Sequence, residues 1–496
     1  MLNTTHRSIR SFLAAGIVLG ACVMTTFAEQ GDPLVPNRMV IETLNAKQRS
    51  RFIASFSEQF GAITSIDSIP ATGFELFAYT LPVGSTTGMV HDVLDAMMLE
   101  GTIVVGELDY EGSSGEGRTG SLWLSSLPIN DLALEEQYSR SLLGLDAAWT
   151  RSMGAGVVVA VIDGGITPAH PWLGGRVAQW GVSFVPGESL ADVGNGIDDD
   201  GDGLIDEQVG HGTFVAGLIH WVAPEALILP IRVLNSDGIT TNFRTAKAIH
   251  FASTHNADII NLSLGSDYDS VVVKRMVRFA VQNGAVVLAA AGNRAAEEPR
   301  EYPASDEFCI GVTALDWFDV KAPFASFGTK IDLAAPGRTL LKGGSPVTSR
   351  AIIGPVPNGI AVWEGTSFAS AFAAGTAALV RAQHPSWPNE VVTADLIAAE
   401  VEAVLGNTGP NPNTTNPEYP DMLGTARIDA SLATLLAPNA PRLADLNADG
   451  VVGAADLTIM LDSWALEGFG LRCDLNGDAF VGAQDLSILL SAWNEG

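Results

Sequence analysis

The chain has 496 residues, 47% of them apolar, and carries 56 acidic against 27 basic side chains for a formal charge of −29. That length exceeds one ordinary core and implies several domains, and the charge argues against nucleic acid or an anionic membrane as partner while suiting a protein that binds cations. The three cysteines, Cys22, Cys309 and Cys473, are too few and too scattered for a disulfide framework.

Residues 1–28 read as a secretory signal. His6, Arg7 and Arg10 form a basic start, Phe12 to Met24 an apolar core, and Thr26-Phe27-Ala28 a small-residue cleavage site. Leu19-Gly20-Ala21-Cys22 also has the pattern of a lipoprotein signal, so anchoring through Cys22 is the alternative to free secretion. No later stretch is long and uncharged enough to span a membrane, and an exported protein is expected.

Next comes a β-α-β-β-α-β order. The elements are Arg38–Glu42, Ala46–Phe60, two strands within Ile63–Leu81 around Pro70-Ala71-Thr72-Gly73, Met89–Leu99 and Thr102–Val105. This is a ferredoxin-like α+β pattern. Gly112–Ser121 then reads as a flexible, cleavable linker.

From residue 150 to about 300 strands and helices alternate, which implies a parallel sheet with helices on both faces. Val157–Ile162 is a β-branched run of the buried, central type, and it ends in Asp163. Catalytic groups of open α/β sheets lie at the carboxyl ends of strands, although an Asx turn would serve equally well for Asp163. Glycines flank His211 and leave it open to close approach. Two further strands end in Ser263-Leu264-Gly265 and Ala290-Ala291-Gly292-Asn293, with a crossover helix over Val271–Asn283 between them. Ser367 follows Gly365-Thr366 and opens a stretch with no charge through Val380, so that helix is buried all round. Backbone N–H groups and the positive helix end at Ser367 would stabilise an oxyanion. An N-cap serine on a core helix is the plainer alternative.

Asp163, His211 and Ser367, in that order and in the motifs Ala160-Val161-Ile162-Asp163-Gly164-Gly165, His211-Gly212-Thr213 and Gly365-Thr366-Ser367, resemble a subtilisin-like serine protease, or subtilase. Ala290–Asn293, Ser263–Gly265, Gln137–Trp149 and Arg427–Ala430 extend the resemblance over about residues 125 to 436. It implies Ser367 as nucleophile, His211 as general base, Asp163 as its orienting carboxylate and Asn293 as oxyanion donor. Ser263, Leu264, Gly265, Ala290, Ala291 and Gly292 would flank an extended peptide. It also implies that residues 29–120 are an inhibitor-like prodomain and linker preceding a catalytic domain at 121–436. Three positions depart from the family pattern. Ala371 replaces the usual proline, Phe372 a frequent histidine, and Gly164 the usual hydroxyl or acid after the aspartate.

Two regions suggest calcium. In 195–207, Asp198, Asp200, Asp202 and Asp206 have the alternate spacing of a calcium loop with Gly203 at the sharp turn. Position twelve is Val209, which cannot ligate, so another segment would have to complete the shell. In the tail, 437–496, Asp445, Asn447, Asp449, Val451 and Asp456 recur in register as Asp474, Asn476, Asp478, Phe480 and Asp485. Each loop leads into a helix whose apolar residues share one face: Leu457, Met460, Leu461 and Trp464, then Leu486, Leu489, Leu490 and Trp493. Without an entering helix, and with Asp at position twelve, the pair resembles dockerin-type half EF-hands, which implies a cohesin-like or cell-surface docking partner.

The combined expectation is a secreted, calcium-stabilised serine endopeptidase acting on protein or peptide substrates and made as an autoprocessed zymogen. A catalytically weak scaffold used for binding is the alternative, and acyl transfer to an amine a third reading that no residue favours.

Overall fold

The computed structural model describes residues 34–116, 123–125, 136–297, 301–342, 345–388, 392–436, 452–465, 473, 480–491 and 493. The signal segment lies outside the described residues. So do seven of the ten tail ligand candidates: Asp445, Asn447, Asp449, Val451, Asp474, Asn476 and Asp478. Two compact units, Met1–Glu111 and Gly112–Gly496, divide the chain.

The first unit has β1 (Leu34–Glu42), α1 (Ala46–Phe60), β2 (Thr64–Ser68), β3 (Phe74–Ala78), α2 (Thr87–Leu99) and most of β4 (Val105–Ser113), whose last residues, Gly112 and Ser113, belong to the second. The strands lie in the order β2-β3-β1-β4, all antiparallel, with Val40 of β1 opposite Leu76 and Glu107. Asn45 caps α1 by accepting from the amides of Lys47 and Gln48. Phe52, Phe56 and Phe60 recur at helical spacing and are buried with Val90, Leu94 and Met97 of α2. Phe52 meets Phe77 of β3 edge to face at 5.4 Å. The closing strand begins later than the sequence suggests, because Thr102 belongs to the turn after α2, its amide donating to Met97 O at 2.9 Å.

The second unit is built on an eight-stranded sheet. Its strands are β5 (Val158–Asp163), β6 (Val182–Ser183), β7 (Leu227–Arg232), β8 (Ile259–Leu262), β9 (Val286–Ala290), β10 (Ile310–Leu315), β11 (Leu333–Pro336) and, after the helices, β12 (Ala426–Arg427). They run parallel in the order β12-β11-β10-β9-β8-β5-β7-β6. The β-branched runs of β5, β8 and β9 occupy its centre, buried on both faces as their composition requires. Helices α3 (His211–Val222) and α6 (Thr366–Ala382) pack on each other, as do α4 (Asn242–Thr254) and α5 (Val271–Gln282). Val272, Val273, Met276, Val277, Ala280 and Val281 form the buried stripe of α5. Helix α6 is buried from Thr366 to Arg381 and is the central helix of this core. The segment around Leu142 and the closing segment meet, the Arg427 guanidinium donating to Leu142 O at 2.6 Å.

In the tail, α7 (Ala454–Asp462) and α8 (Ala483–Ser491) share a small core of Val452, Met460, Cys473, Val481 and Leu489. The apolar face read from the sequence is corrected here. Leu461, Trp464 and Leu490 are exposed, because one contact between two short helices buries only a narrow stripe of each. Asp456 and Asp485 occupy equivalent places, each accepting from the amide three residues earlier, Gly453 and Gly482 respectively, at 2.7 Å.

Candidate active site

The sheet brings residues 163, 211 and 367 to one place. Asp163 is the last residue of β5, His211 the first of α3 and Ser367 the second of α6. His211 Nδ1 lies 2.9 Å from Asp163 Oδ1, and both side chains are buried. Gly212 is required beside the histidine, since a Cβ there would collide with the carbonyl of Gly165. Trp363 packs edge-on against the imidazole at 5.3 Å and Phe368 lies at 5.6 Å, which excludes water from the ring. Asp192 anchors the start of α3. Its carboxylate accepts from the amides of Gly210 and Thr213 and from the Thr213 hydroxyl, and burial raises its pKa to about 6. Nothing in the sequence distinguished this loop aspartate. The Gly164 departure is visible too. Its amide donates to Asp163 Oδ1 at 2.7 Å, while Asp163 Oδ2 is buried and unpartnered among the described residues.

Asn293 is held by α6. Its Oδ1 accepts from both the amide and the hydroxyl of Thr366, each at 2.9 Å, which fixes Nδ2 as the donor end of the amide. Ser263 Oγ donates to Ser367 O at 2.9 Å, fixing the serine turn from β8. Gly265 is buried along the cleft, and Ser113 forms an antiparallel bridge with it through Ser113 N to Gly265 O at 2.9 Å and Gly265 N to Ser113 O at 3.0 Å. Ala290 and Ala291 are buried beside it. Glu301 backs this cleft, since a Cβ on Gly265 or on Gly292 would come within 2.6 Å of its side chain, and it pairs with Arg294 at 3.3 Å.

One residue absent from every sequence motif sits at the centre. Glu116 is buried, with Oε2 accepting from Ser367 Oγ at 2.8 Å and lying 3.1 Å from His211 Nε2, while Oε1 accepts from Asn293 Nδ2 at 3.0 Å. The sequence reads residues 112–121 as flexible linker; Ser113, Ser114 and Glu116 are instead buried. Glycine and serine announce freedom in a sequence, but here their small size lets the backbone enter a narrow cleft. Desolvation opposes charge on His211, but Asp163 and Glu116 on either side outweigh it and raise its pKa to about 10. Burial likewise opposes charge on Glu116, yet its bonds to His211, Ser367 and Asn293 hold its pKa below the usual carboxylate value.

In the acidic loop, oxygens of Asp198, Asp200 and Asp202 lie within 4.8 Å of one another. Asp198 accepts from the amides of Gly201 and Gly203, and Gly203 has the left-handed φ of 93°. Asp206 does not join them; its carboxylate accepts from the amides of Asn195 and Gly196 and closes the loop neck. Glu207, which sequence spacing overlooked, has both carboxylate oxygens shielded and without a hydrogen-bond partner among the described residues, and desolvation with Asp237, Asp200 and Asp202 raises its pKa to about 7. A hard cation with oxygen ligands fits this donor set.

Comparison with known proteins agrees with this geometry. The subtilase family model matches residues 154–424, more than half of the chain. Thermitase of Thermoactinomyces vulgaris is 33% identical over 51% of this chain and 85% of its own length. Subtilisin BL of Lederbergia lenta is 33% identical over 58% of this chain and 94% of its own. The thermophilic serine proteinase of Bacillus sp. (strain AK1) is 36% identical over 50% of this chain, a match that spans 58% of that protein. Among solved structures, a lanthipeptide protease covers 62% of this chain at 22% identity and a TM-score of 0.52, which is a likeness of fold. The chain belongs to the subtilase family and is a subtilisin-like serine-type endopeptidase.

Proposed function

We propose that Ser367 is the nucleophile, that His211 takes its proton, that Asp163 orients the imidazole and that the Asn293 amide with the Ser367 N–H receives the oxyanion. The carrying observation is the convergence of the Asp163–His211 pair with Ser367 and the Asn293 donor at the carboxyl end of one parallel sheet. The peptide lies along Ser263–Gly265 and Ala290–Gly292, and the antiparallel pairing of Ser113 with Gly265 supports that path. The protein is exported and made as a zymogen, with the β-α-β-β-α-β unit as its removable prodomain.

Calcium belongs to this reading. Asp198, Asp200 and Asp202 would hold one ion, with the shielded Glu207 a nearby fourth carboxylate, and the ion's two positive charges would offset part of the loop's negative charge. The repeated tail loops would hold two more, ending on Asp456 and Asp485. The exposed Leu461, Trp464, Phe480 and Leu490 suit a docking face for a cohesin-like or cell-surface partner. Intact masses of wild type and Ser367→Ala, both made in calcium, test the zymogen reading. Loss of the N-terminal unit from wild type alone supports it; an uncut wild type, or cleavage of both, contradicts it.

A further inference from the structure

We propose that Glu116 is an internal inhibitor of this catalytic centre, a side-chain carboxylate that keeps Ser367, His211 and Asn293 engaged until the Ser113–Glu116 segment leaves the cleft. The inference rests on the catalytic roles proposed above and adds the regulation of that same site.

The geometry is that of a block. To become a nucleophile, Ser367 must pass its proton to His211 Nε2. Glu116 Oε2 stands between them, accepting from Ser367 Oγ at 2.8 Å and lying 3.1 Å from His211 Nε2. Among the described residues no direct hydrogen bond joins Ser367 to His211; the Ser367 hydroxyl is directed at Glu116 Oε2 and, at 3.2 Å, at Ser263 O instead of at its base. The second oxygen, Oε1, occupies the Asn293 amide at 3.0 Å, the donor that a reacting carbonyl would need. One carboxylate thus disables the nucleophile, the base and the oxyanion donor together.

The segment is not posed as a substrate. Ser113 is in extended backbone paired with Gly265, and the Ser114 amide donates to Gly238 O at 3.0 Å. At Gly115 and Glu116 the backbone turns helical. That turn carries the Glu116 side chain, rather than a peptide carbonyl, to Ser367 and Asn293. Glycines shape the slot: a Cβ on Gly115 would come within 3.0 Å of Asn293 Nδ2, and one on Gly365 would collide with Glu116 Oε1. The buried negative charge is countered by the imidazole between Asp163 and Glu116. Glutamine at this position keeps the size of the side chain but loses its charge and one acceptor oxygen.

The test labels the full chain with a fluorophosphonate and counts the Ser367 adduct only in molecules that intact mass shows to be uncut. Glu116→Gln and Glu116→Ala are expected to label about tenfold faster than wild type or more, the scale of one or two lost charge-assisted hydrogen bonds. Uncut wild type labelling within about twofold of both variants would overturn the lock. A second measurement needs no variant to fold. The end-blocked peptide Gly-Ser-Ser-Gly-Glu-Gly, added to processed enzyme, is expected to inhibit at about tenfold lower concentration than its Gln counterpart, and equal inhibition would overturn the lock. Processed wild type that neither labels nor hydrolyses peptide would overturn the catalytic reading itself, and the lock with it.

Discussion

Two regions of the second unit concentrate acid, and they handle it in opposite ways. At the catalytic centre Asp163 and Glu116 flank His211, all three buried, and each charge meets an opposite one within about 3 Å. In the loop before His211, Asp198, Asp200 and Asp202 face one another with no basic side chain among them. Asp237 props that loop from below, accepting from the amides of Asp199 and Asp206. The centre balances its carboxylates with the imidazole between them, whereas the three loop carboxylates meet no such partner. Under the calcium reading proposed above, similar residue types would serve reaction and regulation in one place and a cation-held brace in the other.

The largest effect should come from breaking the centre. Ser367→Ala should lower kcat of the processed enzyme by about 10⁴-fold or more with the fold unchanged, measured on a peptide substrate with circular dichroism as control. Asn293→Ala should cost about 10²–10³-fold in kcat with little change in KM, since its amide acts only as charge develops.

The loop should respond to metal instead. Calcium at 100-fold its Kd should raise stability by about 2.7 kcal/mol, read as an increase in Tm. Asp200→Asn should shrink the part of that gain owed to this loop, while Asp206→Asn should leave it largely intact, since Asp206 serves the loop neck. Equal losses in the two variants would return Asp206 to the ligand set.

The centre should instead respond to pH. In the uncut chain His211 has its pKa raised from 6.5 to about 10, so its contribution is full below about 6.5 and is lost as pH rises through about 10. Glu116 is lowered from 4.5, so its contribution is full above about 4.5 and is lost as pH falls through its lower folded value. The Tm gap between Ser367→Ala and Ser367→Ala with Glu116→Gln should be widest between those limits and narrow toward pH 10. A gap that does not vary with pH would mean that the pair carries no charge.

The smallest effect sharpens the reading of Gly164. The nearest neighbour of a Cβ there is Leu234 at 3.9 Å, so Gly164→Ser fits and can donate to the unpartnered Asp163 Oδ2. It should gain about 1 kcal/mol in thermal unfolding.

The parallel sheet was legible because buried strands leave uninterrupted β-branched runs, and the family because its motifs are local: Asp163, His211, Asn293 and Ser367 each sit in a recognisable string. Glu116 was not legible, because its role depends on where a Gly-Ser segment lies in space and no periodicity marks that. Asp192 and Glu207 were missed for a related reason, since a single loop carboxylate looks the same whether it caps a helix, lies shielded beside other carboxylates or meets water. Asp206 misled because alternate spacing describes a ligand loop only while the backbone keeps one curvature, and at residue 206 the chain turns left-handed with φ 57°. Leu461, Trp464 and Leu490 misled because periodicity marks an apolar face without saying how much of it a partner covers.

The most direct test of the catalytic account is adduct mapping. Processed wild type would be treated with a fluorophosphonate, digested and sequenced by mass spectrometry beside Ser367→Ala and His211→Ala. The account predicts one adduct, on Ser367, lost in the first variant and strongly slowed in the second. An adduct on another serine, or peptide hydrolysis that persists undiminished in Ser367→Ala, would contradict it.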